Sequence, residues 1–334
     1  MRTARPLALA FALVTTLVAP ATALAQRAPW PDRPIRIVAG EPGAQSDAMA
    51  RMLAPAFGAS LGQAVVVENR AGAGGTIAAM RVVQARPDGY TLLLGGANNI
   101  VLSPLVRGDL PYRSARDLVP LGGVARVPYG VAIAKHVDVA DLRGFVAYAR
   151  ARPGDLAFGS SGVGSSSHAA LALLAARAGL SMLHVPYRGS PVALNEVLGG
   201  RIEAVACDLS LILPYAKSGA VRLVAVAGAE RAAAAPALPT VAEQGFPGYA
   251  VDPWYALYAP AGTPQEAIDA LTRALADAMR APGIRQQLAA QGWEPLALNA
   301  DEMRALARAD TLRFEGVLEE VSGRKEDQGR PAKP

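Results

Sequence analysis

Two periods alternate along the chain. Short runs in which almost every position is apolar and often β-branched give way to stretches whose apolar residues recur at helical spacing, and then the cycle repeats. "RPIRIVAG" predicts a strand, "SDAMARMLAPAFGASLG" a helix despite Pro55, "QAVVVEN" a strand, "TIAAMRVVQA" a helix and "YTLLLGG" a strand. The cycle restarts with the strands "DLAFGSS", "MLHVPY", "IEAVACD" and "VRLVAVAG", separated by helices near 167–178, 190–198 and 209–218. Strands and helices in strict alternation predict an α/β protein of parallel sheets covered by helices.

Two segments break the rhythm. Residues 118–136 and 236–264 are long, punctuated by Pro and Gly, and extended, which predicts that they cross between two lobes. Beyond the second, Thr263-Pro264-Gln265-Glu266 has the form of a capping box, and Asn299 with Glu302 begins a further helix. These C-terminal helices are expected to return to the first lobe. The terminal "GRKEDQGRPAKP" has the composition of a disordered tail.

The N-terminus changes the picture. Arg2 and Arg5 precede an uncharged apolar stretch ending in Ala23-Leu24-Ala25, a pattern that predicts an export signal cleaved after Ala25. Cleavage would remove two of the 33 basic residues and none of the 28 acidic ones, lowering the net charge from +5 to +3. So small and scattered an excess gives no footprint for nucleic acid. Export would place the chain in an oxidising compartment, yet Cys207 is its sole cysteine, so the core must hold without an intrachain disulfide. About 300 residues suffice for that, as two lobes. Cys207 lies inside an apolar run and reads as a small core residue.

Three Gly-rich loops recur at strand ends just before helices: "EPGAQSD" (41–47), "NRAGAGGT" (69–76) and "GSSGVGSSSH" (159–168). In open α/β sheets ligands bind beyond the carboxyl ends of strands, where amides at helix N-termini attract anions. Glycine permits close backbone approach, and serine adds short hydroxyl donors. The loops therefore point to a small polar or anionic ligand, most naturally a carboxylate. Other chemistries lack their signatures. Ile77 and Ser167 stand where a dinucleotide fingerprint needs its third glycine, no P-loop lysine follows, and no serine sits in a Gly-x-Ser-x-Gly elbow. The three histidines are too dispersed for a metal motif, and no cofactor is expected. Asp47 reads as a first-turn carboxylate complementing the helix dipole. His168 reads either as a ligand-facing donor or as a residue that orders its loop, and Asp208 as a helix cap or an acceptor for a ligand.

The segments "VVVENRAGAGGTIAA", "PDGYTLLLG", "LPY", "GSSGVGSSSH", "HVPYRG", "GGRIEAVACD", "LPTVAEQGFPGY" and "YAPAGTP" follow one another as do the motifs of the Bug family, the exported solute-binding proteins related to tripartite tricarboxylate transporters. The resemblance runs from about Pro31 to Glu320. It implies a type II periplasmic-binding-protein fold: two lobes with mixed, mostly parallel sheets, joined by two crossing segments, with the cleft between them. Lobe one would comprise 26–124 and 248–320, lobe two 125–247, and the tail 321–334. It further implies a periplasmic protein that closes on a small solute, commonly a carboxylate, and delivers it to a membrane permease; a monomer is expected, and an amino acid or amide is the alternative solute if Glu41 faces the cleft. The family's lobe-one loop maps to Pro42, Gly43, Ala44, Gln45, Ser46 and Asp47, and its lobe-two loop to Gly164, Ser165, Ser166, Ser167 and His168, led by Ser160 and Ser161. Asp208 matches the later strand end, and Asn98 and Val163 complete the expected ligand-binding set. Two departures stand out: Ala44 replaces a glycine, and Ala39-Gly40-Glu41 replaces an apolar or aromatic stretch. Glu41 beside an anion cradle would repel an anion, so it either turns to solvent or faces a solute that also carries a positive or donor group.

Two rival readings remain at this level: a sensor whose closed form docks on a membrane receptor, and a serine hydrolase using Ser165 or Ser166 with His168 and Asp208.

Overall fold

The computed structural model describes residues 30–328; the expected export signal and residues 329–334 of the expected tail lie outside them. The strands are β1 (Ile35–Ala39), β2 (Val65–Asn69), β3 (Thr91–Gly96), β4 (Leu118–Arg126), β5 (Tyr129–Ala134), β6 (Ala157–Ser160), β7 (Leu183–Pro186), β8 (Ala204–Asp208), β9 (Val221–Val226), β10 (Trp254–Pro260) and β11 (Glu294–Pro295). They form two sheets, ordered β11-β4-β10-β3-β1-β2 and β7-β6-β8-β5-β9. In the first, β1 runs parallel to β2 and β3 while β10 is antiparallel to β3 and β4. In the second, β6 runs parallel to β7 and β8 while β5 is antiparallel to β8 and β9. The two mixed sheets, each with helices packed against it, give the two-lobed α/β architecture.

The apolar runs form strands because helices cover their faces. In β1, Ile35, Ile37, Val38 and Ala39 are all inaccessible, as are Leu92 and Leu93 of the neighbouring β3. Helix Gln45–Leu61 buries Met49, Ala50, Leu53 and Phe57, spaced along one face, and stops at Gly62 in the left-handed conformation. Helix Gln265–Arg280 buries Ala267, Leu271, Ala274, Leu275 and Ala278 and packs on Gln45–Leu61.

Three expectations shift. The chain leaves the first sheet at Val127–Pro128 rather than after residue 124, because β4 stays paired with β10 through Arg126. The Thr263 capping box does not form: the Thr263 hydroxyl donates to the Pro260 carbonyl at 2.8 Å, and Pro264 caps the helix with no side-chain bond. Asn299 and Glu302 do form one, with Asn299 Oδ1 accepting from the Asp301 and Glu302 amides and Glu302 accepting from the Asn299 amide. The last helix, Ala300–Gln328, includes residues 321–328, where a tail was expected. It packs against β4 of one lobe and helix Ser166–Ala178 of the other.

Candidate functional site

Lobe one offers the cleft three strand ends, each tied down by a polar side chain. After β1, Ser46 Oγ accepts from the Gly40 amide at 3.1 Å, and Asp47 accepts from the Gly43 amide at 2.8 Å and from Asn69 Nδ2 at 2.9 Å. Burial pushes the Asp47 carboxyl up, but the bonds from Arg51, Gly43 and Asn69 outweigh it and hold it below the ordinary carboxylate range. After β2, residues 72–75 turn sharply with positive φ at every position. After β3, the chain makes a π-helical turn, Asn98–Leu102, in which Asn99 accepts from the Gly96 amide at 2.9 Å and donates to the Gly75 carbonyl at 3.1 Å. Asn99 thereby fixes the second strand end against the third.

Lobe two presents its serine-rich loop differently from expectation. Ser165 caps helix Ser166–Ala178 by accepting from the His168 amide at 3.2 Å and donates to the Gly162 carbonyl at 2.7 Å. Ser167 Oγ lies within 3.0 Å of the Ser161 amide, Ser161 Oγ and Ser165 Oγ. Ser160 meets His184 Nε2 at 2.6 Å, and His168 Nδ1 accepts from the Gly164 amide at 3.3 Å while its ring stacks on His184 at 3.9 Å. The hydroxyls thus satisfy their own loop. Among the described residues, no buried side-chain polar atom lacks a partner.

The lobes meet in a closed arrangement. Asn98 Oδ1 accepts from both the Ser166 amide, at 2.9 Å, and its hydroxyl, at 2.7 Å. Gln45 donates to Asp208 at 3.0 Å and accepts from Tyr255 at 2.8 Å, and Trp293 donates to the same Asp208 oxygen at 3.0 Å. Burial, with Asp208 adding to it, raises the Tyr255 phenol and keeps it a donor. Asp208's other oxygen caps the next helix through the Ser210 amide and hydroxyl. We expect Asn98→Ala, which leaves the Ser166 amide and hydroxyl without their acceptor, to weaken solute binding about tenfold. Calorimetric titration checks this, and small-angle scattering of the ligand-free variant should show a more extended particle than the parent.

A cavity of about 420 Å³ lies between these elements, lined by Gly40, Glu41, Ala44 and Ser46 of the first loop, Gly72–Gly75, Leu94, Gly96, Asn98, Asn99, Ser161, Arg188, Gly189 and Tyr255. Three helices begin at its wall, at Ala44, Gly75 and Gly189, and none has a side-chain cap. The Thr76 amide donates to the Ala73 carbonyl and Pro191 has no N–H; the other first-turn amides lie at the positive end of each helix dipole, where a helix supplies them no partner. The lobe-two helices at Asp141, Ser165 and Asp208, by contrast, are all capped by side chains.

Of the residues expected to bind ligand, Glu41, Ala44, Asn98 and Ser161 line this cavity, and Glu41 is exposed as well. Gly43 and Asp47 shape the lobe-one loop, Gln45 and Asp208 bridge the lobes, and Pro42 is exposed outside the lining. Ser160, Gly164, Ser165, Ser166 and His168 order the serine loop, and Val163 is 57% exposed at its tip. His168 makes the bond to the Gly164 amide that its loop-ordering reading expects. The hydrolase constellation does not assemble, since each of its serines, His168 and Asp208 is engaged elsewhere. Sequence reasoning missed Asn99, Arg188, Gly189 and Tyr255. The turn Tyr187-Arg188-Gly189 has the same strand-glycine-helix setting as the three loops that were singled out, and that was its signal. Among the described residues, no cluster of His, Cys, Asp or Glu is arranged to hold a metal, and no helix is long and apolar enough to cross a membrane.

Two lobes that meet around a cavity into which three helix N-termini run give the architecture of a solute-binding receptor. The profile of the tripartite tricarboxylate transporter family receptor, TctC, matches residues 49–322, and the chain belongs to that family of periplasmic receptors. It is 36% identical to protein BugT of Bordetella pertussis over 301 residues, covering 88% of this chain and 91% of the relative. Among solved structures, it is similar to R. palustris Rpa4515 with adipate (TM-score 0.78, 32% identity, covering 88% of this chain and 98% of that one). It is likewise similar to MatC (Rpa3494) from Rhodopseudomonas palustris with bound malate (TM-score 0.76, 29% identity, covering 87% and 100%). The family and its structural neighbours are solute-binding receptors, not enzymes.

Proposed function

We propose that this protein, exported and cleaved after Ala25, captures a small carboxylate-bearing solute between its lobes as a monomer and delivers it to a tripartite tricarboxylate-type permease. The observation that carries this reading is the convergence of three helix N-termini without side-chain caps, at Ala44, Gly75 and Gly189, on one cavity. The adipate and malate in the two related structures agree with it. Closure supplies the mechanism. A solute that touches both lobes binds the closed state better than the open one and shifts the population toward it, and the permease then recognises that state.

The test is a thermal-shift screen of residues 26–334 against mono-, di- and tricarboxylates, amino acids, nicotinate-like aromatics and neutral amides. A solute present at a thousand times its Kd adds about 4 kcal/mol to the folded state. Carboxylates should give the stabilising hits. Hits confined to solutes without a carboxylate, or no hits at all, would overturn the reading.

A further inference from the structure

Two side chains lining the cavity carry formal charge: Glu41 from the lobe-one loop and Arg188 from the lobe-two turn. Neither belongs to an ion pair among the described residues. Nearby arginines behave otherwise: Arg51 pairs with Asp47 and Arg201 with Glu196. Arg188 also stands in an unfavourable place, immediately before Gly189, the cap of helix Ser190–Leu198. A cation at a helix N-terminus faces a like partial charge, costing about 0.3–1 kcal/mol. An anion bound there would turn that repulsion into attraction on both sides.

The charge balance of the cavity says how much anion it suits. Each helix end is equivalent to roughly half a positive charge, so the three supply about one and a half, while Glu41 and Arg188 offset one another. A solute with one or two negative charges brings the closed cavity close to neutrality; a zwitterion leaves it positive and a trianion leaves it negative. The positive sources are also divided. Ala44 and Gly75 belong to lobe one, Gly189 and Arg188 to lobe two, and about 420 Å³ exceeds what a single carboxylate fills.

We propose that Arg188 is the specificity-determining residue for a second anionic group on the solute. One carboxylate lies at the N-termini of the lobe-one helices that begin after Ala44 and Gly75, and the other is met from lobe two by the Arg188 guanidinium and the Ser190 and Val192 amides, Pro191 between them having none. This rests on the carboxylate reading above and adds to it that the preferred class is dicarboxylates. It also gives closure a direct cause, because each lobe holds one end of the same molecule.

The test compares succinate, glutarate and adipate with their monoamides, which keep length and shape but drop one charge, by calorimetric titration against the parent, Arg188→Gln and Arg188→Lys. The parent should prefer one of the diacids over its monoamide by about tenfold or more, the scale of a hydrogen bond to a charged group. In Arg188→Gln that ratio should fall toward unity while monoamide affinity stays within about twofold of the parent, and Arg188→Lys should keep most of the preference. An unchanged ratio in Arg188→Gln, equal weakening of both solutes, or a parent that favours the monoamide overturns the assignment of Arg188 and leaves the carboxylate reading standing. A parent that binds none of these acids, nor any carboxylate of the thermal-shift screen, overturns both.

Discussion

Gly75→Asp is expected to abolish solute capture while leaving the protein folded. Gly75 caps helix Thr76–Val83 with φ 87°, and a Cβ built there comes 3.1 Å from Nδ2 and 3.6 Å from Cβ of the buried, hydrogen-bonded Asn99, which must give by a few tenths of an ångström to admit it. Aspartate is among the residues best suited to an N-cap and tolerates the left-handed region, so its carboxylate would accept from the helix's open amides and from Asn99. It would thus become a tethered substitute for the solute's carboxylate. The stability gained from the new cap and the cost of the strained backbone are each about 1 kcal/mol and oppose one another, so the melting temperature should move little. Binding is another matter. Two carboxylates about 4 Å apart repel by about 4 kcal/mol at an effective dielectric near 20, which predicts an affinity loss of more than a hundredfold. Gly75→Asn, of nearly the same shape but uncharged, separates charge from volume and should lose only about tenfold, the value of the displaced amide contact. Calorimetric titration with the best carboxylate of the screen decides the matter. Equal losses in the two variants would mean that Gly75 serves by its smallness alone and that the helix end is no anion cradle.

The fold was legible because its signals are local and repeated. "RPIRIVAG" and "QAVVVEN" declare β1 and β2 in almost every residue, and Ser190–Leu198 follows its glycine turn as the periodicity predicts. The site was legible only in part, for a reason that lies in competition between hydrogen bonds. A serine-rich loop before a helix offers many donors, but short hydroxyls reach their own backbone first, so Ser165 and Ser167 consume what they appear to offer. Alanine and glycine caps have no side chain with which to do this, and their helices keep open amides. At the cavity wall the absence of a capping side chain therefore separates Ala44, Gly75 and Gly189 from Ser165 and Asp208, although helices elsewhere, at Pro264 and Ala281, also begin without one. The π-helical turn at Asn98–Leu102 has no residue signature, since it depends on Asn99 bonding two other segments. Tyr255 was invisible for a similar reason: its partner Gln45 is 210 residues away in the chain.

Arg126→Met is expected to lower stability by about 2–3 kcal/mol at neutral pH, somewhat below the range for a fully buried pair because its side chain is 24% exposed. Arg126 ends β4 at the first crossing and gathers carboxylates from the segments that return: Nε donates to Glu294 at 3.1 Å, and the guanidinium lies 3.7 Å from Asp252 and 3.6 Å from Glu230. Methionine keeps the apolar length of the side chain, so the variant removes charge more than packing. Burial already pushes the Asp252 carboxyl above its ordinary value, helped by Glu294 and opposed by the Ala229 amide, Arg126 and Arg313. A carboxyl raised in the folded state contributes stability that is present below its unfolded pKa and lost as pH rises through the folded one. Taking Arg126 away raises Asp252 further, so this loss grows in the variant at neutral and alkaline pH. Once Asp252 is protonated in both proteins, the guanidinium has less left to attract. The deficit should therefore be full at about pH 8, a fall of roughly 4–8 °C in Tm, and should shrink markedly toward about pH 4. Parallel thermal melts of parent and variant across that range give the answer. A deficit of constant size would show that Arg126 works through its contacts along β4, and the crossing would then be held by packing and backbone pairing, with its charges contributing nothing net.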